Sequence, residues 1–206
     1  MHYSRFCQLA LVALLAFPLP CGAATITTIE GTLADADQLG IGTFTLSGPT
    51  WVWIQTWSHG GGMASNGTTV AGGNFDPVIW LFSGDAIAAP ASTAFITDQD
   101  DGLCPPGNPG LFGCVDSTIG YTPGGQPPLV LGPGTYSVVV SVFSKYFLGS
   151  VGDPFDAGSF NTIGPNFYED TGAGYFVDVQ DIPEPGGMTL LGLGLVGTAL
   201  LTRRRR

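Results

Sequence analysis

Basic residues are nearly missing from the part of this chain that could fold. Between Thr25 and Ile182, Lys145 is the only lysine or arginine, while every one of the sixteen acidic residues except Glu184 falls in that stretch. Fifteen acids against one lysine leave about fourteen net negative charges, which repel a phosphate backbone. Nucleic acid is thereby excluded as a partner, and divalent cations or basic polymers stay open. Histidine is as scarce, since His59 is the only one beyond the first two residues, too little support for a zinc site. Of four cysteines, Cys7 and Cys21 lie in an N-terminal apolar stretch, which leaves Cys104 and Cys114 with nine residues between them in a Pro/Gly-rich loop. In an oxidising compartment these two are expected to form a disulfide, and closing so short a loop contributes about 2 to 3 kcal/mol. Helical periodicity is absent outside the two apolar ends.

What the body does have is Trp, Phe, Tyr, Val and Ile in short runs broken by Gly, Pro, Asn and Asp, a pattern that can bury a core despite the charge. The clearest strand is 135–143, where Tyr136, Val138, Val140 and Val142 share one face and Ser137 and Ser141 mark the other. Further strands are expected at 25–33, 42–46, 50–57, 77–82, 93–97, 129–131 and 174–179. Val78 to Phe82 is apolar throughout, as a strand buried on both faces would be. Eight strands with turn signals between them predict one all-β domain over 25–181, a two-sheet β-sandwich of jelly-roll type.

The ends read differently. Arg5, the apolar run Phe6 to Phe17, the breakers Pro18 and Pro20, and the small residues Gly22, Ala23 and Ala24 form a secretory signal peptide over 1–24, cut after Ala23 or Ala24. Pro20 stands where a lipobox would need a small residue before Cys21, which argues against lipidation. At the other end Pro183, Glu184 and Pro185 break regular structure. An uncharged apolar run follows over 186–202, about 17 residues and just long enough for a transmembrane helix. Arg203, Arg204, Arg205 and Arg206 then hold the terminus on the cytoplasmic side. This tail, 182–206, resembles the PEP-CTERM sorting signal of Gram-negative envelopes. The resemblance implies recognition and removal by exosortase, a membrane-embedded, cysteine transpeptidase-like enzyme, with the membrane and the secretion machinery as transient partners. A permanent single-pass anchor is the alternative reading.

The body carries a second resemblance. Gly73-Asn74-Phe75-Asp76-Pro77-Val78-Ile79-Trp80-Leu81-Phe82, the acidic turn Asp98-Gln99-Asp100-Asp101-Gly102, and Leu131-Gly132-Pro133-Gly134-Thr135-Tyr136 follow in the order seen in bacterial pre-peptidase C-terminal (PPC) domains. The similarity spans about Gly42 to Phe143 and implies a noncatalytic β-sandwich. Gln99 stands where that family usually has Asn, and the Cys104 to Cys114 insertion lies outside its pattern.

Three constellations could carry chemistry. His59-Gly60-Gly61-Gly62 copies the oxyanion-hole run of some lipases, but the chain has no Gly-x-Ser-x-Gly elbow, and beyond the signal peptide it has no second histidine to serve as base, so the run reads as a glycine-rich turn. Asp98, Asp100 and Asp101 beside Gly102 offer hard oxygens at the spacing of a Ca²⁺ loop, with Asp76 or Asp116 as further ligands; an Asp-rich turn bonding its own amides is the competing reading. Counting twelve from Asp98 reaches Pro109, so the loop is no EF-hand. Trp51 and Trp53 share one strand face and could hold a sugar of an exopolysaccharide, although four tryptophans in such a domain more often serve the core. The expectation is a noncatalytic exported protein of the cell envelope or extracellular matrix, structural or adhesive, with a carbohydrate-binding module as the alternative and no required cofactor beyond possible Ca²⁺.

Overall fold

A computed structural model describes residues 24–59, 61–72, 75–101, 116–120, 129–164 and 173–181. Their strands are β1 (Ala24–Leu33), β2 (Gly40–Leu46), β3 (Thr50–Thr56), β4 (Gly62–Met63), β5 (Thr69–Val70), β6 (Pro77–Ser83), β7 (Ala94–Gln99), β8 (Thr118–Ile119), β9 (Leu129–Leu131), β10 (Gly134–Val142), β11 (Lys145–Phe147), β12 (Phe160–Thr162) and β13 (Ala173–Asp181). All eight expected strands are present: β1, β2, β6, β7 and β13 are one to three residues longer than expected, β3 ends one residue earlier, β9 matches and β10 is shifted by one. The five that were not expected are two or three residues long, too short to show a period. Much of the acidity does turn work: Asp35, Asp85, Asp153 and Asp156 each accept backbone amides two or three residues away in the chain.

Two antiparallel sheets form the body. In the first, β13 runs between β1 and β3, and the far edge of β3 is shared by β8 and β9. The second has the order β2-β10-β6-β7. Their inner faces close on one core that takes Val52 and Ile54 from β3, Val177 and Val179 from β13, Ile79 and Leu81 from β6, and Val138, Val140 and Val142 from β10. Among the described residues the first and last strands are therefore partners, with Ala24 opposite Asp181.

The even face of β10 lines this core as its alternation predicts. Beyond Thr135 the odd face does not meet water either, since Ser137, Val139 and Ser141 are fully buried. Val139 joins Val78, Trp80 and Phe82 of β6 in a second, aromatic core on the outside of the four-stranded sheet, covered by Phe147 and Phe160 of the β11–β12 ribbon and by Phe155. Trp80 lies edge-on to Tyr146, Phe147 and Phe160, and its Nε1 donates to Ser141 Oγ at 2.8 Å. This second layer is why 78–82 is apolar on both faces.

Along one side of the sandwich the edge strands β1 and β2 approach each other across a missing-side-chain notch. A Cβ on Gly31 or Gly40 would stand 2.5 Å from atoms of the buried Tyr175 side chain, so the two glycines make room for that ring. Tyr175 fills the space and closes the side.

Candidate functional site

The end of the β6–β7 pair carries a cluster of acids. The last paired residues are Ile79 and Gln99. Continuing that register by two residues brings Asp100 and Asp101 alongside Val78 and Pro77, next to Asp76, which precedes β6. Carboxylate oxygens of Asp76, Asp100 and Asp101 all lie within 4.8 Å of one another. Asp101 adopts φ 42°, an uncommon left-handed conformation for a residue other than glycine, and the Gln99 side-chain amide donates to the carbonyls of Asp100 and Asp101 at 2.6 and 2.9 Å. The turn is thus held by its own glutamine.

Among the described residues no basic side chain balances this cluster. Lys145, the body's one lysine, sits mostly buried and directs its ammonium to the exposed carboxylate of Asp37 at 3.3 Å. Asp76 Oδ1 and Asp100 Oδ1 are shielded from solvent and accept no hydrogen bond among the described residues. Burial pushes the Asp76 carboxyl up to about 7, helped by the charges of Asp100, Asp101 and Asp116. Burial likewise raises Asp100, against the lowering effect of the Tyr146 hydroxyl, which donates to Asp100 Oδ2 at 2.9 Å. Burial first, and then the Asp100 bond, push the Tyr146 hydroxyl well above its ordinary range and keep it a donor. A site of three converging carboxylates with no basic partner among the described residues is chemically suited to a hard divalent ion such as Ca²⁺, whose charge would offset the burial and the repulsion that now favour protonation.

The five acids named around this loop in the sequence separate in space. Asp100 and Asp101 are in the cluster with Asp76. Asp98 lies outside it, exposed on β7 opposite Trp80. Asp116 is buried and accepts from Thr56 Oγ1 at 2.9 Å and from the His59 amide at 3.0 Å, so it fastens the turn that begins the glycine run. Gly61 in that run has φ 63°, and a Cβ there would meet the backbone of Val70 and Gly72, as a glycine-dependent turn requires. Tyr146 was not identifiable as a partner of the cluster from the sequence, because 46 residues separate it from Asp100.

Trp51 and Trp53 alternate with the fully buried Val52 and Ile54 and are half-buried on the outer face of the five-stranded sheet, Trp51 opposite the exposed Val130 and Trp53 opposite Gln180. The other two tryptophans are structural. Trp80 is core, and Trp57 donates its Nε1 to Asp178 at 2.9 Å. Asp178 itself is fully buried and also accepts from Thr28 Oγ1 at 2.7 Å and from the Ser65 amide at 2.6 Å. Cys104, Cys114, residues 1–23 of the expected signal peptide and the tail from Ile182 through Arg206 lie outside the described residues. Among the described residues no helix is long and apolar enough to cross a membrane.

Fold and site together define a mostly β protein of antiparallel sheets with an acidic, cation-poor end. Residues 181–206 match the PEP-CTERM protein-sorting motif, so the chain carries the mark of an exported protein directed to exosortase. Among solved structures, the pre-peptidase C-terminal domain of a collagenase from Bacillus anthracis is similar at 14% identity, over 75% of this chain and 89% of that one, with a TM-score of 0.33. At that score the architecture rests on the strand register given above. No curated protein matches the chain in sequence.

Proposed function

We propose that the protein is a noncatalytic component of the cell envelope or extracellular matrix of a Gram-negative bacterium, with a structural or adhesive role. In this reading a signal peptide over 1–24 starts export, and the helix over 186–202 with its arginine tail holds the chain in the inner membrane until exosortase removes it. The sandwich, of jelly-roll type and pinned by a Cys104–Cys114 disulfide, is then the mature product. The sorting motif over 181–206 is the observation that carries this. Intact mass and C-terminal peptide mapping on native protein from membrane, envelope and medium test it. A chain ending near Pro183 to Pro185 is expected outside the membrane fraction; a chain keeping Arg203 to Arg206 in every fraction would make it a permanent anchor.

Ca²⁺ at Asp76, Asp100 and Asp101 fits this role. A hard cation held by three carboxylates from the ends of two strands would lock that end of the sheet once the protein reaches a calcium-containing exterior. A second reading is favoured by the half-buried pair Trp51 and Trp53: a carbohydrate-binding face for exopolysaccharide, with the Gln180 amide beside Trp53. Glycan binding that Trp51→Ala abolishes without changing the melting temperature supports that reading, and a glycan array without a hit removes it.

A further inference from the structure

The sorting motif begins where the sheet ends. Its match starts at residue 181, and Asp181 is also the last residue of β13. No spacer separates the two. Moreover β13 is no edge strand: at its C-terminal end Val179, Gln180 and Asp181 pair with Ile54, Trp53 and Val52 of β3 on one side. On the other side they pair with Thr27, Thr25 and Ala24 of β1, across the irregularity between Thr25 and Thr27. Both backbone edges of these three residues are thus in use, and Val179 is fully buried as well.

Removing the tail breaks one amide bond near Pro183 to Pro185. The carbonyl on the sandwich side passes to the enzyme's nucleophile and then to water or an amine, and the tail leaves as a free amine. The sandwich's own C-terminus is therefore the acyl half of the substrate. Peptide clefts bind their substrates as extended chain through main-chain hydrogen bonds. With cleavage at Pro183, Val179 to Ile182 are the residues that would fill the acyl side of such a cleft. Their main-chain groups up to Asp181 are committed to β1 and β3.

We infer that the end of β13, Val179 to Asp181, must leave the sheet for the sorting signal to be cut, so that folding of the sandwich restrains its own processing. The chain is cut readily before the first and third strands have clamped β13, and slowly afterwards. Once cut, the strand re-pairs and the new C-terminus is held in the sheet. This rests on the reading that the tail is a cleaved sorting signal.

The test is the rate of tail removal, followed by pulse-chase on the full-length chain in a host with the sorting enzyme. Two variants are compared with the parent: a six-residue Gly/Ser insertion between Asp181 and Ile182, and Gln180→Gly, which loosens the strand end without lengthening the chain. The insertion should speed removal about tenfold, the factor that corresponds to about 1.4 kcal/mol of strand release, and Gln180→Gly should move it in the same direction. Equal rates for parent and insertion overturn the inference. So does acceleration by the insertion alone, which would point to crowding rather than strand pairing. If neither parent nor variants lose the tail, the sorting reading itself fails and the inference with it.

Discussion

Asp76 is the residue whose chemistry depends most on the fold. A carboxyl with a folded-state value of about 7 binds its proton more tightly in the native than in the unfolded chain, where the value is 3.8. Its contribution is thus most favourable below pH 4 and is lost as pH rises from about 4 to about 7. In metal-free protein, Asp76→Asn should raise the melting temperature at pH 8 by a few degrees, on the order of 1 kcal/mol, and leave it unchanged near pH 4; equal melting curves at pH 8 would count against the buried charge. Ca²⁺ offers a second, sharper comparison. Isothermal titration should show binding that Asp76→Asn and Asp100→Asn abolish and that Asp98→Asn leaves intact. The reverse pattern would restore the loop reading based on Asp98, Asp100 and Asp101. The sequence showed the acidic turn and offered Asp76 and Asp116 as further ligands without choosing between them, because Asp76 stands 24 positions before Asp100 and only the β6–β7 register brings them together.

Among the elements, the five-stranded sheet is tied to the β4–β5 hairpin through one carboxylate. Asp178→Ala strands three donors, Thr28 Oγ1, Trp57 Nε1 and the Ser65 amide, and should cost about 3 kcal/mol in urea unfolding. A loss below about 1 kcal/mol would mean that water replaces the acceptor without penalty. Gly40→Ala should cost about 1 to 3 kcal/mol by pushing into the Tyr175 ring, whereas Gly48→Ala, with open space around it, should be neutral. Equal effects would show that the side between β1 and β2 yields. The strands themselves were legible where an apolar or alternating run lay between turn signals, down to the three residues of β9. The short β4, β5, β8, β11 and β12 were not, because each draws its stability from a neighbour and not from its own sequence.

At the scale of the whole molecule, fifteen acids against one lysine make the body repel itself. Raising monovalent salt from about 10 mM to about 100 mM shortens the screening length from about 30 Å to about 10 Å, so the metal-free protein should melt at a higher temperature in the saltier buffer. A flat response would show that the charges are too dispersed to matter. The sequence alone determined the sorting motif, since the order of a Pro-Glu-Pro break, an apolar run and terminal arginines is a linear signal. It also determined the β class and the missing cations, which depend on local periodicity and composition. Only the tertiary structure decided which carboxylates converge, why β6 is apolar on both faces, and that the last strand before the motif runs through the middle of a sheet. Each of these follows from pairing between residues far apart in the chain, and such pairing is fixed by burial and register across strands, which no stretch of sequence contains by itself.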